Sequence, residues 1–135
     1  MIHKMDFRIY YQDTDAGGIV YHSNYLNYAE RARSEFLREI GLPVVDLLDR
    51  DVAFVIKKAE LTYKAPAKLE DLLSVHTQIG EIKGASMIMN QTIKRGELEL
   101  VDIVLQVVFV NPKTMTPIRI PTDLKEKFAL YKGEK

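Results

Sequence analysis

Residues 23–43 read SNYLNYAERARSEFLREIGLP. Tyr25, Tyr28, Ala29, Ala32, Phe36 and Ile40 recur every three or four positions, the period of one helix face. Asn27, Glu30, Arg31, Ser34 and Arg38 fall mostly elsewhere. Ser23 or Asn24 can cap the start. Gly41 stops the helix and Pro43 lies just beyond. About 17 residues at ~1.5 Å each make a rod of about 25 Å. The two alanines on the apolar stripe let that rod lie close against a second layer.

The flanks supply that layer. Upstream, Met5, Phe7, Ile9 and Tyr11 alternate with Asp6 and Arg8, which predicts a strand over 5–11. Downstream, a short helical piece over 44–48 precedes a run over 52–64, where Ala59, Leu61 and Tyr63 alternate with charged and polar residues. Leu73, Val75, Thr77 and Ile79 share one face of the next strand. Another strand covers 86–95, with Gly96 at its turn. The clearest covers 99–110: Val101, Ile103, Leu105, Val107 and Phe109 form a wholly apolar face. Its other face is mixed, which predicts partial cover, for instance by a second subunit. Pro112 and Pro117 break the pattern, and a tail helix carries Leu124, Phe128 and Tyr131, with Thr122 as its cap. One strand, one long helix, four consecutive strands and a small helix predict an α+β fold, the helix packed on a curved antiparallel sheet.

The 135 residues make a single domain, expected to cover residues 1–135. Lys+Arg and Asp+Glu both number 19, so no basic surplus points to nucleic acid. There is no cysteine, which excludes disulfides, Cys-ligated metals and a cysteine nucleophile. The first residues lack the apolar run of a signal peptide, and the most apolar stretch, 101–110, is too short to span a bilayer. The expectation is a cytoplasmic protein without membrane insertion.

Several chemistries drop out. No G-x-S-x-G elbow, P-loop or G-x-G-x-x-G occurs. His3, His22 and His76 are too scattered for a local metal motif. The run from Asp13 begins like a calcium loop but fails at Gly17 and Asn24. What remains is residues 11–26, YQDTDAGGIVYHSNYL. It gathers two carboxylates, two proton carriers (Tyr11 and His22), glycines and a helix start. A helix start offers unpaired N–H groups that can hold an oxyanion. A carboxylate upstream could attack or activate water. The set suits hydrolysis of an activated acyl compound such as a thioester. The same residue types also serve ordinary turns and caps.

The wording of this segment goes further. Tyr11-Gln12-Asp13-Thr14-Asp15, then Gly18 to Leu26, then Tyr28, Glu30, Ala32 and Arg33, resembles the hotdog-fold acyl-CoA thioesterases. It is most similar to the YbgC-like branch, associated with Tol-Pal genes, of the hydroxybenzoyl-CoA thioesterase superfamily. Gly41-Leu42-Pro43, the Tyr63/Pro66/Asp71 spacing and the ending Phe109-Val110-Asn111 add to the match. The resemblance implies a hotdog fold: a long central helix wrapped by a five-stranded antiparallel sheet. It implies a homodimer or homotetramer with the site at the dimer interface. It further implies Asp15 as nucleophile or general base, with His22 and Tyr11 as catalytic partners. Backbone N–H groups near Tyr21 and His22 would form the oxyanion hole, and Gly18 would permit close backbone approach. Coenzyme A belongs to the substrate, so no cofactor and no metal are expected.

Asp13 reads as a turn-former. Glu30, on the helix, is the runner-up carboxylate. Lys57, Lys58, Lys64, Lys83, Lys94 and Arg95 are basic residues that could meet coenzyme A phosphates, without one being singled out. His76 is expected to be exposed. Two other functions stay open: a hotdog acyl-thioester dehydratase or hydratase, and a non-catalytic module binding acyl-CoA or acyl carrier protein.

Overall fold

A computed structural model describes residues 1–133. Glu134 and Lys135, the end of the expected domain, lie outside the described residues. The elements run β1 (His3–Arg8), a 3-10 turn (Tyr11–Asp13), α1 (Asn24–Glu39), α2 (Val44–Asp49), β2 (Ala53–Tyr63), β3 (Leu72–Ile82), β4 (Ser86–Arg95), β5 (Leu98–Asn111), β6 (Thr116–Pro117) and α3 (Thr122–Ala129). The strands form one antiparallel sheet in the order β1-β3-β4-β5-β2, with β6 added to β5. The architecture is α+β.

Cross-strand register assembles the inner face from period-two alternation. Val75 faces Ile93 and Ile93 faces Val101; Ile79 faces Met89 and Met89 faces Leu105. All of these are buried. Ala29 and Ala32 of α1 are completely buried, so the helix backbone approaches the sheet closely. Phe36 of α1 stacks on Phe128 of α3 at 6.0 Å and meets Tyr131 edge-on at 4.7 Å. The small helix thus closes one end of the core.

The centre of that inner face is polar. Thr77 faces Gln91, and Arg33 of α1 reaches down to them. Arg33 Nη1 donates to Gln91 Oε1 at 3.0 Å. Gln91 Nε2 donates to Ala29 O and to Thr77 Oγ1.

Several expectations need correction. The sheet has six strands rather than five, because Pro117 joins β6 instead of breaking the pattern. Tyr11 does not extend β1: the chain leaves the strand after Arg8 and Tyr11 opens the 3-10 turn. Neither Ser23 nor Thr122 caps a helix with its side chain. Asn24 spends its side chain elsewhere, with Nδ2 donating to Asp13 O at 2.9 Å. His76 is partly buried rather than exposed, and its Nε2 meets Ser74 Oγ at 2.9 Å. Burial pushes its pKa down.

Candidate active site

Beyond β1 the chain folds back on itself twice before entering α1. Asp13 organises the first reversal: its Oδ2 accepts from Tyr10 N–H at 2.8 Å. Its carbonyl accepts from Tyr21 N–H and from the Asn24 side chain. Asp13 is therefore a turn-former that pins the loop to the helix start.

The second reversal is a miniature hairpin. Thr14 pairs with Val20, and Asp15 N–H donates to Ile19 O at 2.9 Å. Gly18 N–H closes the turn onto Asp15 O at 3.0 Å. Gly18 has φ +76°, the left-handed region open to glycine. A Cβ there would meet no protein atom within 4 Å, so within the chain the glycine serves conformation.

This turn grips the carboxylate of Asp15. Oδ1 accepts from Gly17 N–H at 2.8 Å and from Ile19 N–H at 3.2 Å. Two N–H donors hold one oxygen in place. Asp15 is partly buried.

Ile19 leads from this carboxylate to a cavity of about 210 Å³. His22 lines it from the start of α1, Tyr25 from its first turn, and Tyr63, Lys64 and Pro66 from the end of β2 and the loop beyond. The His22 ring meets Tyr63 edge-on at 5.0 Å, and Tyr63 lies 5.8 Å from Tyr25. Tyr25 Oη accepts from Ala67 N–H at 3.0 Å, and burial pushes the Tyr25 pKa up, so it stays a neutral wall. Tyr28, one turn on, is buried against Phe7, and burial together with the Asp13 charge pushes its pKa up. Lys64 is held by Glu99 at 2.7 Å and Asp102 at 3.2 Å, and those bonds push its pKa up.

Ile19, whose N–H holds Asp15, and His22 line one cavity, and Asp15 and Gly18 belong to the turn that precedes Ile19 rather than to the lining. Tyr11 is 79% exposed on the 3-10 turn and does not line the cavity. Tyr21 N–H already donates to Asp13 O at 3.2 Å. His22 N–H and Ser23 N–H carry no hydrogen bond among the described residues, so the donors open to an oxyanion sit one position later. Glu30 is exposed on α1, away from the cavity, and its charge acts on Arg33. Tyr63 lines the cavity with Pro66, and both were marked in the sequence by the Tyr63/Pro66/Asp71 spacing, though without a site role.

A thioesterase-like superfamily model matches residues 10–128. The chain is 42% identical over 122 residues to the acyl-CoA thioesterase YbgC of Haemophilus influenzae, covering 90% of each. It is 37% identical over 132 residues to the acyl-CoA thioesterase YbgC of Helicobacter pylori, covering 90% of this chain and 96% of that one. The crystal structure of a probable thioesterase from Bartonella henselae superposes with a TM-score of 0.85 at 35% identity, over 90% of this chain and all of that one. With the family model matching residues 10–128 and relatives at 37–42% identity covering 90% of it, the chain belongs to the thioesterase-like superfamily.

Proposed function

We propose that the protein hydrolyses acyl-CoA thioesters, with Asp15 as the catalytic carboxylate. The observation that carries this reading is the grip of Gly17 and Ile19 N–H on Asp15 Oδ1, beside a cavity that opens onto the start of α1. In the general-base route, Asp15 takes a proton from water while the water oxygen bonds to the thioester carbonyl carbon. The oxyanion that forms accepts from His22 N–H and Ser23 N–H. Its collapse breaks the C–S bond, and the thiolate leaves and takes up a proton. In the nucleophilic route, a carboxylate oxygen of Asp15 bonds to the carbonyl carbon and expels the thiolate, which takes up a proton, and water then cleaves the mixed anhydride to the free acid and Asp15. The His22 imidazole lies where it can shuttle the proton, and Tyr11 would join only by closing over the cavity.

The finer architecture belongs to the same proposal. Strand β2 leaves its outer edge unpaired among the described residues, and a second copy along that edge would make a homodimer with α1 under a continuous sheet. The edge ends at Tyr63, beside the cavity, so the partner would complete the site. A cytoplasmic setting beside the Tol-Pal genes is part of the proposal. The dehydratase reading needs a helix carboxylate at the cavity, and Glu30 is not there.

The test is free-thiol release from short, long and aromatic acyl-CoAs by the wild type and Asp15→Asn. Turnover by the wild type should drop on the order of 10²–10⁴-fold in the variant, the span of acid–base catalysis. Equal turnover by both proteins would remove Asp15 from the mechanism. Hydration of an enoyl-CoA without thiol release would replace the reaction.

A further inference from the structure

Six basic residues could have met the phosphates of the substrate, and the structure removes half of them. Lys58 pairs with Glu60 at 3.0 Å, Lys64 with Glu99 and Asp102, and Arg95 with Asp71 at 2.7 Å. Of the rest, Lys57 sits at a bulge midway along β2, six residues before Tyr63. Lys83 borders a different cavity, with Glu81 and Ser86. Lys94 lines a third, with His76 and Lys4. None of them lines the Asp15 cavity.

A seventh does stand beside it. Lys68 forms an antiparallel bridge with Ile19, and Leu69 N–H donates to Gly18 O at 2.9 Å. Residues paired across antiparallel strands point their side chains to the same face, about 5 Å apart at Cβ. Ile19 lines the cavity, so Lys68 is next to one of its walls, on the same face as Ile19, though not itself among the lining residues. The residue is exposed, while its neighbour Ala67 is completely buried. No carboxylate lies within ion-pair distance of its ammonium among the described residues. Asp71, three residues on, is already occupied: its Oδ2 accepts from Arg95 Nη1 and from Lys68's own backbone N–H. A lysine ammonium brings three donors and a full charge to a phosphate.

We propose that Lys68 is the cation that receives the phosphate-bearing end of the pantetheine arm, and so selects carriers by charge. The proposal rests on the thioesterase reading above. The same phosphate chemistry is offered by coenzyme A and by the phosphopantetheine of an acyl carrier protein. Acyl-pantetheine presents the identical thioester without any phosphate.

The readout is the ratio of kcat/KM for acyl-CoA to that for acyl-pantetheine carrying the same acyl group. It should fall about tenfold in Lys68→Glu and about threefold in Lys68→Ala, and recover in Lys68→Arg, as an exposed phosphate contact would give. The loss should sit in KM. An acyl carrier protein substrate forms the third arm. A parallel loss there assigns the contact to the phosphate attached to the pantetheine arm, which both carriers share, and a loss confined to acyl-CoA assigns it to the phosphates coenzyme A alone carries. A ratio unchanged in Lys68→Glu overturns the proposal. A wild type that releases thiol from none of the three substrates overturns the thioesterase reading itself.

Discussion

Asp15 is positioned by backbone donors alone, so its geometry depends on the two glycines that follow it. They fail in different ways. A Cβ on Gly17 would stand 3.3 Å from Asp15 Oδ1, close enough to push the carboxylate. A Cβ on Gly18 would touch nothing but would sit at φ +76°. Gly18→Ala should therefore cost about 1 kcal/mol of stability through left-handed strain. Gly17→Ala should leave the urea midpoint nearly unchanged and lower kcat about tenfold, through displacement of the reacting group. Thermal or urea unfolding beside steady-state kinetics separates the two, and a shared pattern would contradict the assignment. The turn around Asp15 and Gly18 and the helix start after His22 were legible because residues 11–26 carry both in one continuous segment. Tyr11 was not placed correctly as a strand residue, since its alternation with Phe7 and Ile9 runs two steps, Ile9 and Tyr11, past the end of the strand at Arg8. The bond from Tyr10 N–H to Asp13 turns the chain there instead. Lys68 was invisible, because its neighbourhood to Ile19 is made by a bridge across 49 residues of chain.

At the scale of elements, α1 meets the sheet through an apolar stripe with a cation in its middle. Arg33 is 8% exposed, and burial pushes its pKa down. Its Nε has no hydrogen-bond partner among the described residues, so Gln91 Oε1 is what holds the guanidinium. Removing one member of such a buried set strands the other. Gln91→Leu should cost about 3 kcal/mol or more, because the guanidinium loses its acceptor in the core. Arg33→Leu together with Gln91→Leu should cost less than Gln91→Leu alone. A double-mutant cycle by urea unfolding reads the coupling, and additive losses would contradict it. The periodicity of 23–43 placed this helix to within a residue, yet it gave Arg33 no inward role. A helix face about 100° wide admits a long side chain at its margin. Strand β5 was legible to within a residue or so because one face of it is apolar throughout, and β4 because Met87, Met89 and Ile93 alternate and Gly96 marks its turn, although Gln91 interrupts that face. The caps were not, since tertiary bonds such as Asn24 to Asp13 O took the side chains that local capping would use.

At the scale of the molecule, the sheet ends on a strand that is unfinished. Among the described residues β2 hydrogen-bonds to β5 on one side and to no strand on the other. Val55, Ile56 and Tyr63 are 37%, 39% and 47% exposed along it. An eleven-residue strand with an open edge and apolar side chains is a template for another strand, and chains that stay monomeric shield such edges with charge or proline. Here Lys57, Lys58 and Glu60 supply some charge, but Lys58 and Glu60 neutralise each other. The proposed homodimer uses this edge. Wild type should then sediment at no less than twice the chain mass, with a melting temperature that rises with concentration. Ile56→Lys should shift the species toward monomer by burying an unpaired charge in the contact. Because β2 ends at the cavity, thiol release should fall with the dimer fraction and recover as the variant is concentrated. Monomeric wild type with full activity would break the link between edge and site. Dimeric Ile56→Lys with full activity would move the interface elsewhere on the chain.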